Sequence, residues 1–126
     1  MHILGLGVVA LLGLLHVYIA WFEIFAWETR GPVAFPSFPE ELFPQTVDMA
    51  ANQGLYNGFL AAGLFWSLLI RDRRWQYKVA ICFLMFVLVA GVFGALTVSP
   101  SILMVQAVPA TVGLVFVGLS LRRLAD

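Results

Sequence analysis

Residues 71–78 read RDRRWQYK and divide two long apolar stretches of the chain. Each stretch is long enough to form a helix across a hydrocarbon core, which takes about 20 residues. The chain of 126 residues is 62% hydrophobic and 11% charged, whereas a soluble domain carries about a quarter charged residues. The pattern predicts an all-α integral membrane protein in which residues 71–78 form a polar turn between two spans.

Four spans are predicted outward from that turn, at about residues 48–70 and 76–98 on its two sides, then at 3–27 and 101–121. An outer loop of residues 28–47 separates the first two spans, and VSPS at residues 98–101 separates the last two. Proline interrupts helices because it lacks a backbone N–H group. We expect a single domain over residues 1–126, a polytopic bundle of four transmembrane helices.

The basic residues predict the orientation of this bundle. Six of the seven lie at residues 71–78 or 122–123, and the other is Arg30 in the outer loop. With four spans, the first two regions lie on one side of the membrane and Arg30 lies on the other. The positive-inside rule then places both termini in the cytoplasm and residues 28–47 outside.

The outer loop combines proline with large apolar side chains. Its prolines are Pro32, Pro36, Pro39 and Pro44, and its apolar residues include Phe35, Phe38, Leu42 and Phe43. The prolines exclude a regular helix through most of the loop. The apolar residues favour either an anchor on the membrane surface or a lid over the outer mouth of the bundle.

Composition also excludes several classes of function. The formal net charge is zero and no basic run is present, so we expect no nucleic-acid partner. The single cysteine, Cys82, excludes an intramolecular disulfide and a CxxC metal motif. No glycine-rich nucleotide loop is present, and we expect no cofactor.

The first span carries two ionisable residues, His16 and Glu23. Seven steps of 100° leave them about 20° apart on one stripe of the helix. An ionised carboxylate within the membrane costs at least about 2.5–3.5 kcal/mol, so Glu23 should face the bundle or be protonated. We interpret Glu23 and His16 as candidate catalytic residues, with His16 orienting Glu23 or relaying a proton.

The other polar side chains of the spans are Asn52, Gln53, Tyr56 and Asn57 in the second and Gln106 in the fourth. Helix rise places them, like Glu23, roughly 6–14 Å from the outer ends of their helices. This shared depth predicts a ligand-binding pocket in the outer half of the bundle. The alternative is that these amides only bond neighbouring helices, at about 0.6 kcal/mol each.

Tyr18 and Trp27 complete the candidate ligand-binding set as parts of an aromatic wall. Their alternative role is that of ordinary aromatic residues at the membrane interface. The inner half of every span contains almost nothing ionisable, so the pocket is predicted to open outward and to be closed below.

Small residues and one proline indicate how the helices pack. Gly54, Gly58 and Ala62 recur every four residues, a stripe that permits close helix approach. Pro109 should kink the fourth helix and release a carbonyl group near residue 105, beside Gln106.

No metal site is predicted. His16 and Glu23 are separated by about 10.5 Å along the helix axis, which is too far for one ion without a ligand from another helix.

Two motifs, HVYIAWFE at residues 16–23 and NQGLYNGFLAAGL at residues 52–64, resemble the small bacterial membrane family called domain of unknown function 1304. The resemblance covers essentially the whole chain. It implies four membrane helices in a bacterial inner membrane and a special role for the polar residues of both motifs. The layout is also similar to the four-helix sterol-isomerase and sigma-2-receptor group, in which acidic side chains line a lipophilic pocket.

The principal hypothesis is a pocket that binds a small lipophilic molecule or lipid, with isomerase-like acid–base chemistry by Glu23 and His16. Gln53, Asn57 and Gln106 would hold the polar end of the ligand. A proton-coupled small-molecule exporter that acts as a homodimer is the first alternative. A structural or accessory membrane subunit is the second.

Overall fold

The computed structural model describes residues 2–124, and the regular structure of these residues is entirely helical. This confirms the predicted all-α class. The α-helices are α1 (His2–Phe25), α2 (Trp27–Ala34), α3 (Val47–Leu69), α4 (Arg73–Thr97) and α5 (Val108–Arg122). Two 3-10 turns, at Glu40–Leu42 and Pro44–Thr46, lie between α2 and α3, and a π-helical turn at Leu103–Ala107 precedes α5.

Three helical segments are long and apolar enough to cross a membrane: His2–Phe25, Arg73–Thr97 and Leu103–Arg122. The remaining long helix, α3, has 23 residues. Its length is sufficient for a span, but the amides of its first half lower its hydropathy.

The four long helices pack side by side in the cyclic order α1, α3, α4, α5. Neighbours run antiparallel, since Gly13 of α1 faces Phe65 of α3 while Gly54 faces Ile24. We call the end that contains residues 26–46 and 98–101 the loop end, and the end that contains residues 70–72 the turn end. The buried core lies mostly toward the turn end: Val9, Leu12, Leu64, Tyr77, Ala80, Leu84, Val87, Ala110 and Val117.

The chain after α1 is more helical than the sequence predicts. The first helix breaks at Ala26, and α2 continues to Ala34 through Pro32, so part of the predicted outer loop 28–47 is helix. Phe35 ends α2 because it precedes Pro36, and a residue before proline is disfavoured in the helical region. The other prolines of the predicted outer loop, Pro36, Pro39 and Pro44, lie outside regular α-helix, in the turns between α2 and α3.

The turn between α3 and α4 is tight and well capped. The carboxylate of Asp72 accepts the backbone N–H of Trp75 at 2.7 Å, which starts α4 at Arg73, three residues before the predicted boundary. The side-chain amide of Gln76 donates to the carbonyl oxygens of Leu68 and Ile70 at 3.3 and 3.2 Å. These bonds hold the ends of α3 and α4 together.

The proline in the last predicted span, Pro109, is accommodated by a change of helix type. The N–H of Val108 bonds to the carbonyl of Leu103, five residues back, and the π-helical turn closes there. Pro109 has no N–H for the carbonyl four residues earlier, and its ring would clash with that group in a regular α-helix. The wider turn absorbs this mismatch at a site next to Gln106.

Gly54 allows the closest approach of α1 and α3. A Cβ atom at this position would lie 2.7 Å from Ile24 Cγ1 and 3.0 Å from the backbone carbonyl of Ala20. At Gly58, one turn further along α3, the nearest atom would be Ala20 Cβ at 4.0 Å. The two glycines of the small-residue stripe therefore differ in packing: a side chain fits at Gly58 but not at Gly54 without a shift of its neighbours.

We predict that Gly54→Ala destabilises the protein relative to Gly58→Ala by about 1–3 kcal/mol, the usual effect of overpacking. Both changes add the same helix propensity, about 1 kcal/mol, so their difference isolates the clash with the backbone of Ala20. Reversible unfolding in detergent measures it. Equal stabilities of the two variants would contradict the close packing.

Candidate functional site

A cavity of about 740 Å³ opens at the loop end of the bundle. Its walls come from α1, α2, α3 and α4, from the segment between α2 and α3, and from Val98, Ile102 and Gln106 between α4 and α5. The polar groups on its walls belong to Glu23, Ser37, Thr46, Gln53, Tyr56, Asn57, Thr97 and Gln106. The aromatic rings on its walls belong to Trp27, Phe35, Phe38, Tyr56 and Phe93.

The central polar contact of the cavity joins α1 to α3. The side-chain amide of Asn57 donates to Glu23 Oε2 at 2.8 Å and to the backbone carbonyl of Gln53 at 3.2 Å. The second carboxylate oxygen, Glu23 Oε1, accepts no hydrogen bond from residues 2–124. One half of this carboxyl group is therefore held in place while the other half is free for a ligand.

The close packing of α1 against α3 brings Asn57 and Glu23 together. Gly54 brings α3 so close to α1 that its Cβ position lies 3.1 Å from Glu23 Cβ. Asn57 follows three residues later, on an adjacent face of α3. The close approach places the amide within hydrogen-bonding distance of the carboxyl group.

The other amides of the cavity wall are unengaged. Neither the Gln53 side chain nor the Gln106 side chain hydrogen-bonds to the described part of the chain. Gln106 is half-buried, and its Cβ atom lies where the π-helical turn before α5 meets α4 at Gly91. Each amide can both donate and accept hydrogen bonds. The wall thus offers hydrogen-bonding capacity that the protein itself does not use.

The segment between α2 and α3 covers part of the cavity. The Trp27 indole N–H donates to the Thr46 hydroxyl at 2.9 Å, and its ring lies against the rings of Phe35, Phe38 and Phe43 at centroid distances of 5.1–6.2 Å. Phe43 is 1% exposed and packs on Gly31 of α2. This aromatic cluster packs the segment against α2, and Phe35, Ser37, Phe38 and Thr46 of the segment line the cavity.

One wall of the cavity comes from α4 and contains no residue singled out from the sequence. Ala90, Phe93, Gly94 and Thr97 line it, at the helical spacings i, i+3, i+4 and i+7. Their position at the outer end of α4 was readable from the sequence. Their orientation was not, since apolar residues surround α4 on every side.

The structure separates His16 from the cavity. The ring is fully buried, and Nδ1 donates to the carbonyl of Leu12 at 2.8 Å, since a carbonyl oxygen only accepts. Nε2 has no hydrogen-bond partner in residues 2–124. No hydrogen bond joins His16 to Glu23, whose partner is Asn57. His16 lies two helical turns from Glu23 along α1, on the turn-end side of the cavity. It therefore makes no contact with Glu23 through which it would orient the carboxyl group.

Two further residues of the predicted ligand-binding set lie outside the cavity. Tyr18 is 52% exposed and stacks with Trp21 at a centroid distance of 5.9 Å. Asn52 is exposed on α3 and does not line the cavity. The structure brings together Glu23, Trp27, Gln53, Tyr56, Asn57 and Gln106.

Toward the turn end the cavity stops at Leu60 and Ala90, above the aliphatic core. A smaller cavity of about 370 Å³ lies between α1 and α5, and its lining is entirely apolar. Within residues 2–124, no three His, Cys, Asp or Glu side chains come close enough together to hold a metal ion.

The fold and site define a helical protein with apolar helices of membrane length and, at one end, a mainly apolar cavity that carries several polar groups. The chain belongs to the family described as "Protein of unknown function (DUF1304)", whose model matches residues 10–118. The resemblance seen in the two sequence motifs is thereby confirmed. A similar protein from Lactococcus lactis, "Uncharacterized protein YpaA", is 28% identical over 108 residues, covering 84% of this chain and 89% of the relative. No solved structure matches the chain.

A double-mutant cycle tests the Glu23–Asn57 contact. Because the amide donates directly to the carboxyl group, Glu23→Ala and Asn57→Ala should couple by about 0.6–1.7 kcal/mol, the range for hydrogen bonds between membrane helices. The measurement is the free energy of unfolding in bicelles. Glu23→Ala with Asn52→Ala is the matched control and should show no coupling. Equal coupling in both pairs would contradict a specific contact.

Proposed function

We propose that the protein crosses the bacterial inner membrane four times, with α3 as the additional span and both termini in the cytoplasm. The support is the position of α3, which packs between α1 and α4, two segments of membrane length. Inside the membrane, a helix satisfies its own backbone groups, and polar side chains are tolerated when they face the bundle. The basic residues Arg71, Arg73, Arg74, Arg122 and Arg123 all lie at the turn end.

Cysteine labelling in intact cells tests this orientation. In a Cys82→Ala background, Glu40→Cys between α2 and α3 should react with a membrane-impermeant maleimide. Arg71→Cys should react only after the membrane is permeabilised, because α3 separates the two positions. Both positions are exposed, so burial does not limit the reaction. Equal labelling of both from outside would mean that α3 does not span.

We further propose that the cavity binds a small lipophilic molecule through its polar end. The observation that carries this proposal is the Glu23 carboxyl group, held on one oxygen by Asn57 at 2.8 Å inside a cavity with aromatic walls. The Glu23 carboxyl group is partly buried, and a carboxyl group withdrawn from water is a poor stabilising element because desolvation opposes its contacts. Its retention beside unengaged amides favours a ligand-binding role. Ligand sites combine such a few polar groups with a mainly apolar lining.

The outer leaflet offers a route into this cavity. Tyr56 of α3 and Phe93 of α4 both line the cavity and are 53% and 68% exposed. They stand on neighbouring helices, and the side-chain hydrogen bonds that tie these helices together within residues 2–124 are those of Gln76 at the turn end. In a membrane, a lipophilic molecule would enter between them from the acyl chains.

Any acid–base step in this cavity falls to Glu23 alone, because His16 does not reach it. Binding is therefore the function we propose, with catalysis by the Glu23 carboxyl group as an extension. Nothing in the geometry favours the exporter alternative, since the aliphatic core fills the bundle between the cavity and the turn end. We also propose no role for a partner copy of the chain.

Native mass spectrometry of the gently purified protein tests the proposed binding. We expect a bound small lipophile that survives transfer from a mild detergent, since the cavity volume lies within the range of about 300–1,000 Å³ for ligand pockets. A spectrum with apoprotein only, under conditions that retain other lipids on membrane proteins, would contradict the proposal.

Filling the cavity locates the bound molecule. Ala90→Phe places a ring on the cavity wall without removing a polar group, and should reduce bound ligand by about tenfold or more, since a lost fit of 1.4 kcal/mol is tenfold in affinity. Val89→Phe is the matched control, because Val89 is 62% exposed on the same helix and does not line the cavity. Equal occupancy in both variants would place the ligand elsewhere.

A further inference from the structure

The charge on the cavity wall is unbalanced. Glu23 contributes the single carboxyl group among the described lining residues, and none of those residues is Lys, Arg or His. A carboxylate removed from water without a compensating cation is costly, and one that persists in a membrane protein normally has a partner. The protein supplies an amide donor to one oxygen but no positive charge.

The hydrogen-bonding groups around Glu23 also leave acceptors without donors. The Asn57 side-chain amide donates one N–H group to Glu23 Oε2 and the other to the Gln53 carbonyl. Because the N–H groups face these two acceptors, the Asn57 Oδ1 atom points away from them. Neither Asn57 Oδ1 nor Glu23 Oε1 accepts a hydrogen bond from residues 2–124. Two acceptors with no donor therefore lie at the polar end of the cavity.

We propose that the ligand of this cavity is a lipophilic amine, bound as its ammonium ion with its N–H groups donating to Glu23 Oε1 and Asn57 Oδ1. The inference rests on the lipophile-binding function proposed above and narrows its ligand class. The ammonium ion supplies the charge and the donors that the wall lacks. The apolar body of the amine occupies the aromatic part of the cavity.

The aromatic lining supports a cation. Trp27, Tyr56 and Phe93, on three different helices, present rings on the wall of the cavity that Glu23 also lines. The face of such a ring attracts a cation within about 6 Å, by roughly 0.5–2 kcal/mol depending on desolvation. Trp27 is also held in position by its hydrogen bond to Thr46 at 2.9 Å.

The amine could come from a free molecule or from the head group of an aminophospholipid. The two share the ammonium group, but the phospholipid adds a phosphate. No cationic side chain on the described cavity wall would accompany that phosphate. The charge pattern therefore favours the free amine.

Three probes with the same tail test the ligand class: dodecylamine, dodecanol and dodecanoate. Binding is measured by native mass spectrometry in one detergent, so that partition into the micelle is common to all variants. The wild-type protein should bind dodecylamine about tenfold or more tightly than dodecanol, and dodecanoate least, because only the amine pairs with Glu23.

Glu23→Gln keeps the volume of the side chain and its acceptor for Asn57 but removes the charge. It should abolish the preference for dodecylamine over dodecanol. Glu28→Gln is the matched control, because Glu28 is an exposed carboxylate on α2 that does not line the cavity, and it should behave as the wild type.

The outcomes separate this inference from the proposed function. If dodecanol or dodecanoate binds as well as dodecylamine, or if Glu23→Gln retains the amine preference, the amine is the wrong class and the lipophile pocket stands. If none of the three probes binds, both proposals fail. In phosphatidylcholine nanodiscs, added phosphatidylethanolamine should leave dodecylamine bound. Displacement would assign the site to the lipid head group.

Discussion

The close contact of α1 with α3 at Gly54 is the constraint on which the polar site depends. A side chain at this position would collide with the backbone of α1 at Ala20. Without that approach, the Asn57 amide would not reach the Glu23 carboxyl group. The hydrogen bond between them then orients a charged group inside the bundle, where it would otherwise have to turn outward or lose its charge.

The two ends of the bundle are built differently, and the cavity follows from that difference. At the turn end, Gln76 ties α3 to α4, and the Tyr77 hydroxyl bonds to the His2 ring, which joins α4 to α1. At the loop end, no side-chain hydrogen bond within residues 2–124 joins α3 to α4, and residues of both helices line the cavity. The segment between α2 and α3 covers the opening through the Trp27 cluster.

Hydrogen-bonding capacity is distributed unevenly between these ends. The buried Ser67 and Ser120 hydroxyl groups each donate to a carbonyl group of their own helix, so they need no acceptor from another helix. On the cavity wall at the loop end, the Gln53 and Gln106 side-chain amides instead make no hydrogen bond to the described part of the chain. A helix bundle that needed these amides only for adhesion would pair them with each other. Their arrangement is the reason that we assign them to a ligand.

The sequence by itself determined the helical class with apolar segments of membrane length, a polar break just before α4, the family, and the shared depth of Glu23, Asn57 and Gln106, because hydropathy and helical rise are properties of one segment at a time. Tertiary structure alone decided which groups meet. His16 lies apart from Glu23, and Tyr18 and Asn52 face away from the cavity. Phe93 and Thr97, from the apolar helix α4, line the cavity instead. Helical periodicity gives the face of a residue on its own helix, whereas the neighbour of that face depends on how closely and in which order the helices pack.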